Sequence, residues 1–487
     1  MAKGFFAGGL IVVLLTAVMV GGGGLLFLHD AIEKLRPRAP AGSADLDKAL
    51  ARVRPGDPQT ILVLGTDHRY GVGRKTEPIR SDTMMAVRLD PDRGATSVMS
   101  FPRDLQVKIP GHGTNKINAA YAIGGAKLAV QTVDALGLEI SHVVGVDFHG
   151  FGRAVNTLGC VYVDVDHRYF NDNAPPANSA TPYATIDLEP GYQRLCGSQA
   201  LDYVRFRHLD DDFVRAARQQ DFLRQAKGQV GLAKALDERD ELLSIFHRYS
   251  ESDLASASDA TMFGLIKLGY EASQVPVRQI PFPPTQPGRG ESLIVSPAAL
   301  ERAIERLERG GGGAGGAPRK SGTAAKQRPA GAASARTAPG LVDARAEGER
   351  LALPTAAKLA GRLPVMYPRL RLARGGYATA EGVRSYAIKH AGGGSHIAYR
   401  LTLHQGDDGQ YYGVQGTTWR SPPILARPTD HVRMRGRTYA RYYDGSRLRV
   451  IAWKTKTAVY WVSNTLSLRL SNAQMMAVAR SLQRVGQ

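Results

Sequence analysis

The sequence predicts an α/β domain, preceded by a membrane-spanning helix and followed by a separate small α+β domain. Short apolar runs alternate with stretches of helical periodicity between Thr60 and Arg309, which is typical of a layered α/β domain. The uncharged stretch Phe5–Leu28 is long enough to cross a bilayer as a helix. Arg309–Gly340 is rich in Gly, Ala, Pro and basic residues and cannot build a core, so it separates two folded units.

The elements of the central domain follow from the spacing of apolar residues. Strands are predicted where short apolar runs end at turn residues, and helices where apolar residues recur every three or four positions. The Asn-, Asp- and Pro-rich residues 167–185 are predicted to form a loop. The predicted strands are Ile61–Leu64, Thr83–Leu89, Ala95–Phe101, His142–Asp147, Cys160–Val165 and Val275–Pro281, and the predicted helices are Asn118–Leu136, His149–Leu158 and Pro297–Arg309, with further helices between Ser198 and Tyr270.

The N-terminal stretch reads as an uncleaved anchor, because no small-x-small cleavage site precedes His29; a signal peptide is the alternative. The flanking charges do not settle the orientation. The predicted organisation is an anchor (1–30), a stalk (31–58), the central domain (59–309), a flexible basic linker (310–345) and the α+β domain (346–487).

In the C-terminal domain, Asp444-Gly445 between two apolar runs predicts a β-hairpin. Ser471 followed by Gln474 predicts a capping box at the start of a helix that runs to Leu482. The aromatic residues here could stack on sugars, although aromatic residues in strands are more often core. The role of this domain is left open by the sequence.

The net charge of +19 predicts anionic partners: nucleic acid, anionic lipid, a phosphorylated lipid carrier or an acidic polymer. No helix-turn-helix is evident, which argues against nucleic acid. The two cysteines, Cys160 and Cys196, are predicted to form a disulfide if the domain is exported; two buried thiols are the alternative.

Arginine and aspartate residues lie where the predicted strands begin and end. Neighbouring Arg and Asp side chains usually form solvated salt bridges that contribute little. In an α/β sheet, however, the strand ends and their loops build the ligand crevice. Arginine forks match phosphate oxygens, and carboxylates suit Mg²⁺, so the pattern predicts a diphosphate held with a metal. The pairs are Asp67 with Arg69, Arg80 with Asp82, and Arg103 with Asp104.

Two further groups of arginines lie downstream. Arg215, Arg218 and Gln219 are spaced three and four residues apart, so that on a helix they share one face. Arg205 and Arg207 alternate with apolar residues, and in an extended chain both would point to one side.

In these stretches the chain resembles the LytR-CpsA-Psr (LCP) family of membrane-anchored cell-wall ligases. The resemblance spans residues 59–230, and the family's motifs occur in order. The matching motifs are Leu64–Arg69, Arg80–Met85, Phe101–Asp104, Lys116–Tyr121, Val146–Phe151, Tyr203–Arg207 and Arg215–Gln220.

The resemblance implies a three-layer α/β/α sandwich that encloses an apolar tunnel for a polyprenyl chain. It implies a phosphotransferase that moves a glycopolymer from a polyprenyl-diphosphate carrier to peptidoglycan through a phosphodiester, releasing polyprenyl phosphate outside the cytoplasm at the cell membrane. Composition and the cysteine pair resemble actinobacterial members.

The resemblance also assigns residues. It implies Mg²⁺ as the cofactor, bound by Asp67 and Asp82. Arg80, Asp82 and Asp104 are the predicted catalytic residues, with Asp82 or Asp104 as the base. The residues predicted to bind the diphosphate are Arg69, Arg80, Arg103, Arg205, Arg207, Arg215, Arg218 and Gln219.

Two alternatives remain at this stage: a pyrophosphatase acting on lipid diphosphates, and a non-catalytic wall-binding or regulatory protein. Val214 stands where the family often has glycine, and the loop between Asp67 and Arg80 is slightly long. The glycopolymer and the oligomeric state cannot be read from the sequence.

Overall fold

The structure is a computed structural model of the 487-residue chain. It describes residues 36–40, 45–66, 81–93, 95–172, 185–206, 212–230, 234, 237–275, 277–288, 292–309, 340–378, 382–390, 392–406, 409–434 and 436–486. The chain divides into two compact units, one built mainly from residues up to Gly311 and the other mainly from residues after it.

The first unit combines strands and helices in alternation, as a mixed α/β domain. Its strands are β1 (Gln59–Thr66), β2 (Ser81–Asp90), β3 (Ala95–Phe101), β4 (Gln106–Ile109), β5 (Gly113–Lys116), β6 (His142–Asp147), β7 (Val161–Val165), β8 (Tyr169–Asn171), β9 (Ile186–Leu188), β10 (Gly191–Leu195), β11 (Ser250–Ser252), β12 (Val277–Gln279), β13 (Thr285–Pro287) and β14 (Leu293–Val295). Its helices are α1 (Asn118–Asp134), α2 (Phe148–Thr157), α3 (Gly197–Arg205), α4 (Asp212–Gln229), α5 (Arg239–Tyr249), α6 (Asp259–Gln274) and α7 (Pro297–Glu308).

A six-stranded mixed sheet in the order β11-β6-β1-β2-β3-β12 forms the centre of this unit. β1 pairs antiparallel with β2 and parallel with β6, and β2 pairs antiparallel with β3. Successive side chains of β1 point to opposite faces. Ile61 and Val63 join one apolar cluster with α2 to α6, and Leu62 and Leu64 join another with α1 and α7. Helices therefore cover both faces of the sheet.

The predicted strands and helices of this domain are confirmed to within a few residues, and Ala95–Phe101 matches exactly as a strand. The helix α1 is kinked where Gly125 has a φ of 64°, a conformation that glycine adopts without strain. The late strand is shorter than predicted and covers only Val277–Gln279.

The predicted loop 167–185 is wrong in part, because Tyr169–Asn171 forms the strand β8, which pairs antiparallel with β9 just after the loop. Tyr169 is fully buried, and this burial outweighs the turn-forming residues that follow it. Residues 173–184 lie outside the described part of the chain.

The second unit is mostly β. Its strands are β15 (Leu341–Asp343), β16 (Met366–Pro368), β17 (Leu370–Leu372), β18 (Gly376–Tyr377), β19 (Val383–Lys389), β20 (Ser395–His404), β21 (Tyr411–Thr417), β22 (Asp430–Met434), β23 (Arg437–Asp444), β24 (Arg447–Lys454), β25 (Val459–Ser463) and β26 (Leu482–Arg484), and its helices are α8 (Arg345–Lys358) and α9 (Asn472–Arg480). The strands β18 to β25 form one eight-stranded sheet in the order β18-β20-β21-β25-β24-β23-β22, with β19 also paired to β20. This sheet contributes most of the unit's apolar core.

Both local signals in this unit are confirmed. The predicted hairpin is formed by β23 and β24, with Asp444 as the last residue of β23 and with Gly445 in the turn at a φ of 56°. Ser471 and Gln474 form the predicted capping box of α9. The helix ends at Arg480 rather than Leu482, because Leu482 pairs with Pro368 as a strand. Tyr412, Trp453, Tyr460 and Trp461 are buried, so most of the aromatic residues are core.

The predicted anchor lies outside the described residues, and so does nearly all of the predicted linker. Among the helices that the structure describes, none is both long and apolar enough to cross a membrane.

Candidate functional site

The register of the central sheet brings the strand ends that carry the motifs to one edge. Thr66 at the end of β1 pairs with Ser81 at the start of β2 and with Asp147 at the end of β6. Phe101 at the end of β3 pairs with Met84 near the start of β2. The three predicted Arg/Asp pairs follow or precede these positions directly in the chain. Asp67, Arg69, Arg80 and Arg207 lie outside the described residues, and Asp82 is described by its backbone alone.

Beyond β3, Asp104 is held between two cations. Arg103 donates from Nε to Asp104 Oδ2 at 3.1 Å, and Lys116 Nζ lies 3.0 Å from Asp104 Oδ1. All three side chains are partly exposed. Lys116 lies in a family motif but has no predicted role, so its contact with Asp104 adds a residue to the candidate site.

The prediction of helices from Ser198 onward is confirmed at Arg205, which is the last residue of α3. The extended arrangement considered for Arg205 and Arg207 therefore does not hold up to Arg205. Ala200, Tyr203 and Val204 are buried at helical spacing on one face of α3. An alternation of four residues is too short to separate this helical pattern from a strand. The chain leaves the helix at Phe206, which is buried with extended backbone.

The predicted helix around Arg215 is confirmed as α4. Arg215, Arg218 and Gln219 are nearly or fully buried. Arg218 Nη2 donates to the carbonyl of Phe206 at 2.6 Å, and Gln219 Nε2 donates to the carbonyl of Val204 at 2.7 Å. Their common helix face therefore contacts the C-terminal end of α3.

Burial, together with the neighbouring charge of Arg218, lowers the pKa of Arg215 to about 9. Two guanidinium groups thus lie near each other with little access to water. A bound anion beside them would favour their charged forms, as opposite charges do for any buried ionisable group.

Cys160 and Cys196 form a disulfide with their Cα atoms 4.6 Å apart. Cys160 immediately precedes β7, and Cys196 is the N-cap residue of α3. The bond therefore ties the N-terminal end of α3 to the start of β7, while α4 contacts the C-terminal end of α3.

A buried group that sequence reasoning missed lies beside Arg218. The hydroxyl of Tyr169 donates to Asp166 Oδ1 at 2.5 Å, and His167 Nδ1 lies 3.4 Å from Asp166 Oδ2. Burial acts to raise the pKa of Asp166, but His167, Tyr169 and Arg218 together hold it below its usual range. No motif pointed to these residues, because their partners come from α3 and α4, far along the chain.

Asp202 on α3 gives a prediction about pH. Burial raises its pKa to about 6 despite the nearby Arg205, so the folded state holds the proton more tightly than the unfolded chain. Ionised Asp202 therefore costs stability above about pH 6, and the cost fades as pH falls toward 4. We expect Asp202→Asn to raise the free energy of unfolding at pH 8 by about 1 kcal/mol, discounted for partial exposure, with no gain near pH 4. Urea unfolding of wild type and Asp202→Asn at pH 8 and pH 4 checks this. Asp134→Asn, at the exposed end of α1, is the control. An equal gain of Asp202→Asn at the two pH values would contradict the prediction.

The described residues contain no group of three or more His, Cys, Asp or Glu side chains arranged to hold a metal ion. The predicted ligand Asp67 lies outside the described residues and the side chain of Asp82 is not described, so the magnesium site stays a prediction.

A family model described as the LytR_cpsA_psr family matches residues 30–299, more than half of the chain. The chain therefore belongs to the LytR_cpsA_psr family, as the resemblance predicted.

Two curated relatives illustrate the family. The polyisoprenyl-teichoic acid–peptidoglycan teichoic acid transferase TagT of Bacillus subtilis is 33% identical over 182 residues, which are 36% of this chain and 55% of that protein. The regulatory protein MsrR of Staphylococcus aureus is 32% identical over 197 residues, 40% of this chain and 56% of that protein. The chain thus spans little more than half the length of these relatives. Among solved structures, "TagT bound to LI-WTA" is 25% identical, covers 54% of this chain and 94% of its own, and has a TM-score of 0.42.

Proposed function

We propose that this protein is a phosphotransferase that moves a glycopolymer from a polyprenyl-diphosphate carrier to peptidoglycan and releases polyprenyl phosphate. The observation that carries the proposal is the register of the central sheet, which brings the ends of β1 and β3 and the start of β2 to one edge. In the sequence, the three Arg/Asp pairs lie next to these strand ends. Family membership supports the same activity, since relatives such as TagT are named transferases of this kind.

Arginines supply most of the binding to the diphosphate in this proposal. Phosphoryl transfer needs positioning and neutralised charge more than covalent help from the protein. Arg103 lies at the sheet edge, and Arg215 is a buried cation that an anion would stabilise. The arginines proposed to contact the diphosphate are Arg69, Arg80, Arg103, Arg205, Arg207 and Arg215.

Asp67 and Asp82 are proposed to hold Mg²⁺, because carboxylate oxygens are the ligands that this hard cation prefers. Asp67 directly follows Thr66 in the chain, and Asp82 directly follows Ser81, the residue that pairs with Thr66. When bound, the ion would neutralise charge on the phosphoryl oxygens.

The reaction balances as a displacement at phosphorus. The oxygen of the acceptor, a primary hydroxyl of muramic acid, bonds to the phosphorus next to the sugar, and the bond from that phosphorus to the bridging oxygen breaks. The hydroxyl proton passes to a carboxylate, Asp82 or Asp104, and polyprenyl phosphate leaves. Because the acceptor lies in the wall, we place the domain outside the cytoplasm, held at the cell membrane by the anchor predicted at Phe5–Leu28.

The test is product analysis with the full-length protein in detergent, given a polyprenyl-diphosphate-linked oligosaccharide, Mg²⁺ and uncrosslinked peptidoglycan strands. We expect mass spectrometry to show sugar phosphate attached to the peptidoglycan, and attachment to stop when a chelator removes the divalent cation. Carrier cleaved equally well without acceptor would favour the pyrophosphatase. Intact carrier that binds without turnover would favour a non-catalytic role.

A further inference from the structure

Two consecutive side chains of α4 are used to hold the end of α3. Arg218 and Gln219 donate to the carbonyls of Phe206 and Val204. The last carbonyls of a helix have no partner within the helix, so they need donors from elsewhere. Here α4 supplies two such donors, and the helix end that they satisfy carries Arg205.

The guanidinium of Arg218 is enclosed by aromatic rings. Its Cζ lies 4.8 Å from the ring centroid of Tyr169, 5.6 Å from that of Tyr203 and 5.8 Å from that of Phe206. The side chain has no exposed surface. A cation over desolvated aromatic faces is attracted by each of them, which favours one fixed position for the fork.

Asp166 provides the opposite charge for this enclosed cation. Its carboxylate is buried, receives the hydroxyl of Tyr169 and lies beside His167. The ring of Tyr169 packs edge-on against Tyr203 and Phe206, with centroids 5.0 Å apart in both pairs. The same aromatic residue thus contacts the carboxylate, the guanidinium and the end of α3.

We propose that Arg218, Gln219, Asp166 and Tyr169 form a clamp that positions the end of α3, and with it Arg205, for the diphosphate. Arg218 is then a positioning residue and not a direct ligand, in contrast to Arg215 one turn earlier on α4. The proposal rests on the proposed function for the identity of the ligand. The disulfide at Cys196 holds the other end of α3, so the clamp fixes the end that the disulfide leaves free to move.

The experiment uses the full-length protein with Arg218→Lys, which keeps a positive charge but loses the planar fork. Two quantities are measured: hydrogen exchange of the peptide covering residues 197–206, and kcat and KM for a polyprenyl-diphosphate-linked oligosaccharide. We expect exchange there to rise at least tenfold while the peptides of β1 and β2 stay unchanged, and KM to rise about tenfold with a smaller change in kcat.

Two outcomes would overturn the clamp. Unchanged exchange with a raised KM would make Arg218 a direct ligand. Raised exchange with an unchanged KM would make its role purely structural. If Arg218→Lys does not fold, Tyr169→Phe keeps the ring and removes only the hydroxyl on Asp166, and we expect the same pattern at smaller size. A wild-type protein without turnover would refute the proposed function, while exchange at the end of α3 would still test the clamp.

Discussion

Replacing Arg103 by alanine is expected to lower kcat/KM for transfer by about 100- to 1000-fold, the range seen when one preorganised group that stabilises charge in the transition state is removed. Arg103 lies just past the end of β3, at the edge where the end of β1 and the start of β2 also lie, and its Nε contacts Asp104. The substitution removes a cation that we propose contacts the diphosphate. The measurement is steady-state transfer to peptidoglycan with the carrier-linked oligosaccharide.

Arg93→Ala is the matched control, because Arg93 is also a partly exposed arginine of this domain but bonds to the carbonyl of Glu308 and lies beside Asp90. It should leave kcat/KM within about twofold. Lys116→Ala, which removes the second cation on Asp104, is expected to have an intermediate effect. Equal activity of Arg103→Ala and Arg93→Ala would refute the proposed role of the sheet edge.

Loss of the disulfide is expected to have the largest effect on stability. Cys160 and Cys196 are 36 residues apart in the chain, and closing a loop of this size removes entropy from the unfolded chain worth about 4 kcal/mol. We expect the double variant Cys160→Ser, Cys196→Ser to lose roughly that much free energy of unfolding. Urea unfolding of the oxidised wild type and the variant provides the comparison.

Reducing agent serves as the control, because it should shift the wild type toward the variant and leave the variant unchanged. Activity gives a second readout, since the disulfide holds the N-terminal end of the helix that carries Arg205. A variant as stable as the oxidised wild type would show that packing around β7 and α3 suffices without the bond.

Much of the fold was predictable because burial of the sheet on both faces leaves short, bounded apolar runs. Ile61–Leu64 is such a run, and it lies within the strand β1. That the end of β1 and the end of β3 lie at one edge also followed from the strands alone, since antiparallel neighbours begin and end together. The local signals at Gly445 and Ser471 succeeded because a turn and a capping box depend only on nearby residues.

The features that the sequence did not reveal share a physical cause, which is contact between residues distant in sequence. The short alternation at Arg205 is compatible with a strand, but packing of Tyr203 and Val204 in the core keeps Arg205 in a helix. The hydrogen bonds of Arg218 and Gln219 to Phe206 and Val204 could not be foreseen from helical spacing. Asp166 is close to Arg218 only in the folded chain.

The most direct test of the proposed function follows the phosphorus atom next to the sugar. A carrier labelled with radioactive phosphorus at that position is incubated with the full-length protein, Mg²⁺ and peptidoglycan, and the peptidoglycan is then washed and digested to muropeptides. We predict that the label is recovered in a muropeptide as a phosphodiester and that unlabelled polyprenyl phosphate is released. Label recovered only in soluble sugar phosphate or inorganic phosphate, with none in the muropeptides, would contradict the transfer reaction.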